Sequence, residues 1–163
     1  MSPDVRRLLA AIDSAYDRRS WHGTSLRGSI RRLTARQAAW RPAGAGPPPP
    51  HNIWELVVHA AYWKYAVQRR LTGGPRGAFP LKGSNWFARG GAIDERAWRE
   101  DVALLDQMHR AMRGVVTALS PSDLDRRPGQ GAVTTFALLS GVAAHDLYHA
   151  GQIQLLKRLQ RAG

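Results

Sequence analysis

His145 and His149 stand four residues apart in a stretch of helical periodicity, so their side chains project from one face. That spacing lets two imidazoles share one metal ion. The stripe they occupy is Leu138, Val142, His145, His149, Gln152 or Ile153, and Leu156, which is the apolar, inward one. His59 sits in the same way between Leu56 and Trp63 on another helical segment. A buried neutral imidazole needs partners for both ring nitrogens. Three unpaired ones clustered together would cost several kcal/mol, and a divalent cation satisfies all three at once. Taken singly, each histidine is better explained as a core residue bonded to a hydroxyl or a carbonyl. An HxxxH pair alone is also common on helices. The third histidine is what tips the balance toward a metal site.

These side chains must be carried by long helices, and the apolar periodicity supplies them. Val5, Leu8, Leu9, Ile12 and Tyr16 keep a helical period after a Ser2-Pro3 start. The pattern breaks at Ser20-Trp21-His22-Gly23 and resumes with Leu26, Ile30 and Leu33, with Thr24 or Ser25 as the cap of the restart. Thr34-Ala35-Arg36-Gln37 has the form of a capping box and opens a short turn of helix. Pro42 and the run from Gly46 to Pro50 then make a loop. A second helix follows the Asn52 cap, with Glu55 in its first turn, and runs to about Thr72, where Gly73-Gly74 stop it. Residues 73–92 form a long connection rich in glycine and proline, a length usual for functional or crossover segments. A third helix starts at the Asp94 cap and ends at Ser120-Pro121. A fourth runs from Thr134 or Thr135 to about Arg161. No segment shows strand alternation, so the expected class is all-α.

The chain also repeats itself. Residues 33–42, LTARQAAWRP, align without a gap on residues 119–128, LSPSDLDRRP. The same offset carries Ile30 onto Val116, Leu56 onto Val142, His59 onto His145 and Tyr62 onto Tyr148. The repeat predicts two similar helical hairpins related by a pseudo-twofold axis, with the long loop as the crossover between them. That arrangement is a four-helix bundle in up-down-down-up order, a single domain over 1–163, with His59 and His145 meeting near its middle.

The 163 residues suit one domain with a real core. There is no cysteine, which excludes disulfides and zinc–thiolate sites. Charge interrupts the apolar residues of the N-terminus every few positions, unlike a signal peptide. No stretch approaches the roughly 18 apolar residues needed to cross a membrane. The expected location is the cytoplasm, with no membrane partner. The net charge of +12 permits nucleic-acid binding. The arginines, however, are scattered in pairs (Arg6–Arg7, Arg18–Arg19, Arg31–Arg32, Arg69–Arg70, Arg126–Arg127) and form no single tract, so nucleic acid is the lesser expectation.

Around the three histidines, Gln152, Tyr148 and Glu55 are candidates to orient the rings. Asp146 is the weakest, because it follows His145 directly and faces away from it. Trp63, Trp54 and Trp21 could wall a pocket, although aromatic residues in a bundle are more often core. His22, at the break in the first helix, could reach the metal or the substrate, with a structural corner as the blander reading. His51 is expected to be solvated and His109 to lie at an edge of the bundle.

Several stretches resemble the DinB-like family of damage-inducible and metal-dependent proteins. They are Ser20-Trp-His-Gly23, residues 33–42, His51-Asn-Ile-Trp-Glu-Leu-Val-Val-His59 and Ala144-His-Asp-Leu-Tyr-His-Ala-Gly-Gln-Ile153, the last being the most specific. Thr24 departs from the proline often found after the glycine, which touches the helix break and not the ligands. The resemblance implies an up-down-down-up bundle, with His59, His145 and His149 holding zinc or nickel and open metal positions left for other ligands. It also implies a homodimer, though no sequence feature specifies its interface. Related members are thiol-dependent S-transferases using bacillithiol or mycothiol, and others are described as hydrolases.

Three neutral histidines leave a divalent metal its positive charge. The preferred expectation, resting on the resemblance, is activation of a low-molecular-weight thiol for transfer to a small electrophilic substrate. The alternative is hydrolysis by water activated at the same metal. A basic rim able to hold the acid groups of a thiol favours transfer, and a carboxylate beside the open position favours hydrolysis. The rivals from other classes are a stress-response or nucleic-acid-binding protein with an incidental metal, and a bundle whose metal is purely structural.

Overall fold

The computed structural model describes residues 1–18, 20–43, 48–129 and 131–162. The described residues form seven helices and no strand: α1 (Pro3–Tyr16), α2 (Leu26–Ser29), α3 (Ala35–Ala39), α4 (Ile53–Thr72), α5 (Glu95–Thr117), α6 (Pro121–Leu124) and α7 (Thr135–Ala162). Part of the loop expected at 46–50, and Arg19 of the Arg18–Arg19 pair, lie outside the described residues.

Capping chemistry sets most boundaries. Ser2 Oγ accepts the Val5 amide at 3.3 Å. The helix then stops at Tyr16 and restarts at Leu26, with Ser25 Oγ as its cap at 3.2 Å from the Gly28 amide. At α4, Asn52 Oδ1 accepts the Glu55 amide at 2.8 Å while Glu55 reaches back to the Asn52 amide at 3.3 Å. This reciprocal arrangement satisfies two donors that the first turn leaves unpaired. Gly73 ends α4 at φ 69°, a left-handed conformation that costs glycine little. The Thr34–Gln37 capping box has a partial counterpart at the repeat offset, where Asp123 accepts the Ser120 amide at 2.9 Å, and each opens a short helix. The repeat is therefore real in local structure.

The principal packing pairs are α4 with α5, α1 with α7, and α4 with α7. Each long helix thus packs chiefly on helices from the other predicted hairpin, so neither hairpin is held together mainly by its own two helices. The cause lies in α4, where residues 53–61 and 64–67 are buried on nearly every side and demand several neighbours.

Two apolar clusters make the core. One gathers Leu26, Trp54, Val57, Ala61, Leu105 and Ile153 with the aromatic residues of the long loop. The other gathers Leu9, Ile12, Val67, Met112, Leu139 and Val142. On three of the four long helices a buried polar residue marks the changeover: Lys64 on α4, His109 on α5 and Asp146 on α7. Lys64 and Asp146 are 0% and 1% exposed and form an ion pair. His109, expected at an edge, is 4% exposed and stacks on Tyr16 with ring centroids 3.6 Å apart. Its helical phase places it over α1 and not over solvent. The Tyr16 hydroxyl donates to Asp106, which also accepts Arg27 Nε at 2.9 Å.

The 73–92 connection is tied down at both ends. Near its start, the Tyr65 hydroxyl donates to the Pro75 carbonyl and accepts the Ala78 amide at 3.1 Å. Phe79 and Phe87, both buried, pack on Tyr62 at centroid distances of 5.4 and 5.7 Å. Near its end, the Arg89 carbonyl accepts Asn52 Nδ2 at 2.9 Å, and Arg89 Nε meets Asp101 at 2.7 Å. Gly90, at φ 84°, lies so close to Ala39 that a Cβ there would sit 2.6 Å from the alanine methyl. No helix among the described residues is long and apolar enough to cross a membrane.

Candidate metal centre

His59 from α4 and His145 and His149 from α7 converge. His145 Nε2 lies 3.0 Å from His59 Nε2 and 3.0 Å from His149 Nε2. One ligand atom from each histidine can be chosen so that all three fall within 4.8 Å of one another. The helical period brings the α7 pair together, and the α4–α7 contact supplies the third ring. His59 and His149 are 5% and 3% exposed, and His145 is half-buried.

The rings are held from behind. The His59 Nδ1–H donates to the Asn85 carbonyl at 2.8 Å, and the His149 Nδ1–H donates to Gln152 Oε1 at 2.6 Å. An Nδ1 proton engaged in this way leaves Nε2 as the lone-pair atom, the tautomer a metal needs. Burial lowers the basicity of all three. His59 is pushed down to about 4 by burial first and then by His149 and His51, against the upward pull of the Asn85 carbonyl. His145 falls to about 3 by burial, with His149, His59 and Lys64 adding to it. His149 is lowered by burial, partly offset by Gln152. Three neutral imidazoles thus face one another, and the single Nε2 proton that His145 could carry would serve only one of the two 3.0 Å gaps. His145 Nδ1 is buried without a hydrogen-bond partner. This donor set fits a divalent cation of the nitrogen-preferring kind.

The loop contributes what the residue pattern did not reveal. Asn85, at φ 64°, turns its carbonyl to His59 while its amide oxygen accepts Trp63 Nε1 at 3.0 Å. Asparagine tolerates that left-handed geometry better than most residues. Trp86 lies between two imidazoles, stacked on His59 at 3.8 Å and on His51 at 3.6 Å. His51, expected to be solvated, has a side chain 44% exposed, yet one ring face is covered and its Nδ1 lies 3.0 Å from Glu55 Oε2. The signal available for Asn85 and Trp86 was the unusual length of the connection that carries them.

The other candidates distribute plainly. Gln152 touches a metal-facing histidine. Trp63 stands edge-on to His59 and His145 at 6.4 and 6.2 Å. Glu55 is buried but bonds Arg41, His51 and the Asn52 and Arg89 amides, and none of the three metal-facing histidines. Tyr148 is 64% exposed, its ring 5.3 Å from His149. Asp146 faces away from His145, as expected, but into the core, where it pairs with Lys64. Burial pushes its carboxyl upward against the pull of that lysine. His22 and Trp21 are exposed, Trp21 almost completely, so neither walls the centre. The helix break carries them outward. Trp54 is a core residue that donates to Asp101 at 2.6 Å.

Two spaces lie near the centre, and His145 lines one of them. An apolar groove of about 270 Å³, lined by Trp63, Val67, Leu138 and Val142, opens beside His145. A basic cleft of about 530 Å³ lies between α4 and the long loop. A larger cavity of about 680 Å³ between α1, α6 and α7 holds none of the histidines, and its Asp4 and Arg7 are paired with each other. Volume alone is therefore a poor guide here, and the convergent nitrogen donors locate the chemistry better.

An all-helical chain with three convergent histidines able to hold a metal ion defines the class. Within that class the chain belongs to the DinB superfamily, whose family model matches residues 16–153. No curated protein and no solved structure gives a significant match.

Proposed function

We propose that this chain is a metal-dependent enzyme that activates a low-molecular-weight thiol for S-transfer at His59, His145 and His149. The observation that carries the reading is the convergence of three neutral Nε2 atoms, two of them fixed from behind by Asn85 and Gln152. Zinc or nickel suits this nitrogen donor set, and the bound cation would supply a lowered pKa to a thiol, keeping it as the reactive thiolate. The protein's own residues do the rest. Trp63 and the apolar groove beside His145 offer a place for the apolar body of an electrophile. The basic cleft next to the centre favours a thiol carrying acid groups. The two carboxylates expected nearby are both engaged elsewhere, Glu55 with Arg41 and Asp146 with Lys64, which favours transfer over hydrolysis.

The four long helices are read as an up-down-down-up bundle forming one cytoplasmic domain, a location consistent with the absence of cysteine. A homodimer is supported by Phe136, Leu147, Leu155 and Leu159, all exposed along α7. The test is conjugation of a small thiol to a fluorogenic electrophile by zinc-loaded protein. Turnover above the uncatalysed rate, lost in His145→Ala, is the expected result. Ester hydrolysis that needs His145 and no thiol would replace transfer with the hydrolase reading.

A further inference from the structure

The basic cleft has features of a built site. Arg69 and Arg70 reach it from the last turns of α4, and Arg76 and Lys82 from the loop that faces them. No acidic side chain lines it, and none of the four cations has an ion pair among the described residues. Holding four like charges around one concavity is unfavourable without a counter-charge, and low-dielectric walls strengthen the field inside. The walls here are aromatic, with Tyr62, Tyr65 and Phe79 beneath the cations. The start of the loop is fastened to α4 through Tyr65, which bonds Pro75 and Ala78 and packs on Phe79, so the backbone that carries Arg76 is held at the cleft.

Two links join the cleft to the histidine centre. Ser84 lines the cleft, and the next residue, Asn85, holds His59. Arg70 lies over the Trp63 ring at 5.9 Å, and the same ring is edge-on to His59 and His145. A molecule in the cleft would therefore lie one residue from Asn85 and beside the arginine that covers Trp63.

We propose that this cleft is an anion-binding subsite for a small molecule carrying at least two acid groups, carboxylate or phosphate. Two or more charges are needed because the four cations come from both sides and a single charge cannot meet them all. Tyr62 and Phe79 offer a flat apolar floor to the body of the ligand. A small molecule fits better than a nucleic-acid backbone, since the loop closes one side of the cleft, whereas a duplex needs an open ridge. The identity of the bound molecule's reaction rests on the S-transfer reading, but the binding does not require the metal.

The experiment is titration calorimetry of the full chain with pyrophosphate and with citrate at fixed ionic strength, on metal-free and on zinc-loaded protein. One-to-one binding of at least one probe is expected in both states, weakened about tenfold or more by Arg76→Ala/Lys82→Ala. These two residues are exposed and lie outside the metal-holding set. A charge-matched control, Arg6→Ala/Arg36→Ala, should bind like the wild type. The tighter probe tells phosphate from carboxylate. Binding of neither probe, equal loss in the control, or no loss in the cleft variant overturns the proposal. A short DNA duplex that binds more tightly than both probes, with a steep salt dependence, overturns it in favour of a nucleic-acid surface. Binding to metal-free protein separates this outcome from any failure of the S-transfer reading.

Discussion

Two buried polar groups sit side by side on α4 and α7, and they are built on opposite principles. The Lys64–Asp146 pair joins one cation to one anion in the interior, 0% and 1% exposed. The histidine cluster, whose His145 directly precedes Asp146 on α7, brings together three like groups with no complement among themselves. In the first, the chain supplies both halves of the interaction. In the second, it supplies one half three times over and fixes it from behind. A closed pair points to a structural role, such as fixing how α4 and α7 lie together. An open set of identical donors marks a place for something the chain does not encode.

The closed pair is the more sensitive of the two to substitution. Lys64→Ala leaves the Asp146 carboxylate buried and uncompensated, which should cost about 3–5 kcal/mol in denaturant unfolding. Replacing both partners with apolar residues of similar volume should recover most of that loss. In metal-free protein, His145→Ala should cost far less than Lys64→Ala. Equal costs would mean that the histidines, too, are chiefly structural.

His109 lies in the same buried layer as the closed pair, its Nδ1 without a hydrogen-bond partner among the described residues, and is lowered to about 3 by burial first and then by Lys64. Its folded value lies below the roughly 6.5 of an unfolded histidine, so the unfolded chain binds the extra proton first. Its contribution is constant above pH ~6.5, and stability is lost as pH falls from there toward ~3. At pH 5 the loss from this residue is about 2 kcal/mol, at 1.36 kcal/mol per unit. Unfolding curves of His109→Phe should be flatter across that window than those of the wild type. An unchanged slope would remove His109 from the buried polar layer.

A smaller effect sharpens the open side. Gln152→Ala frees the His149 Nδ1–H and should weaken zinc binding about 10–100-fold while leaving the melting temperature of metal-free protein nearly unchanged. Competition against a chromophoric chelator measures it. If affinity is unaltered, the 2.6 Å bond to Gln152 does not orient the ligand.

The histidine centre was legible because it depends on local regularities. The helical period set the faces of His145 and His149, and an ungapped repeat paired His59 with His145, whose Nε2 atoms lie 3.0 Å apart. Caps at Ser2, Thr34, Asn52 and Asp94 were legible for the same reason. What escaped depends on contacts distant in sequence. Lys64 meets a partner 82 positions away, and a lone lysine on a helix gives no sign of that. Asn85 and Trp86 reach the centre only because Phe79, Phe87 and Arg89 pin the loop to α4 and α5. His109 took its burial from Tyr16 on another helix, and Trp21 lost its expected role to a helix break that turns it outward.

Metal analysis decides whether the three histidines form one metal site. Protein purified without a histidine tag is incubated with zinc or with nickel, freed of excess and assayed beside His145→Ala. The account predicts about one ion per chain in the wild type and loss of stoichiometric metal in the variant. A wild type that retains no stoichiometric metal from either solution would contradict it.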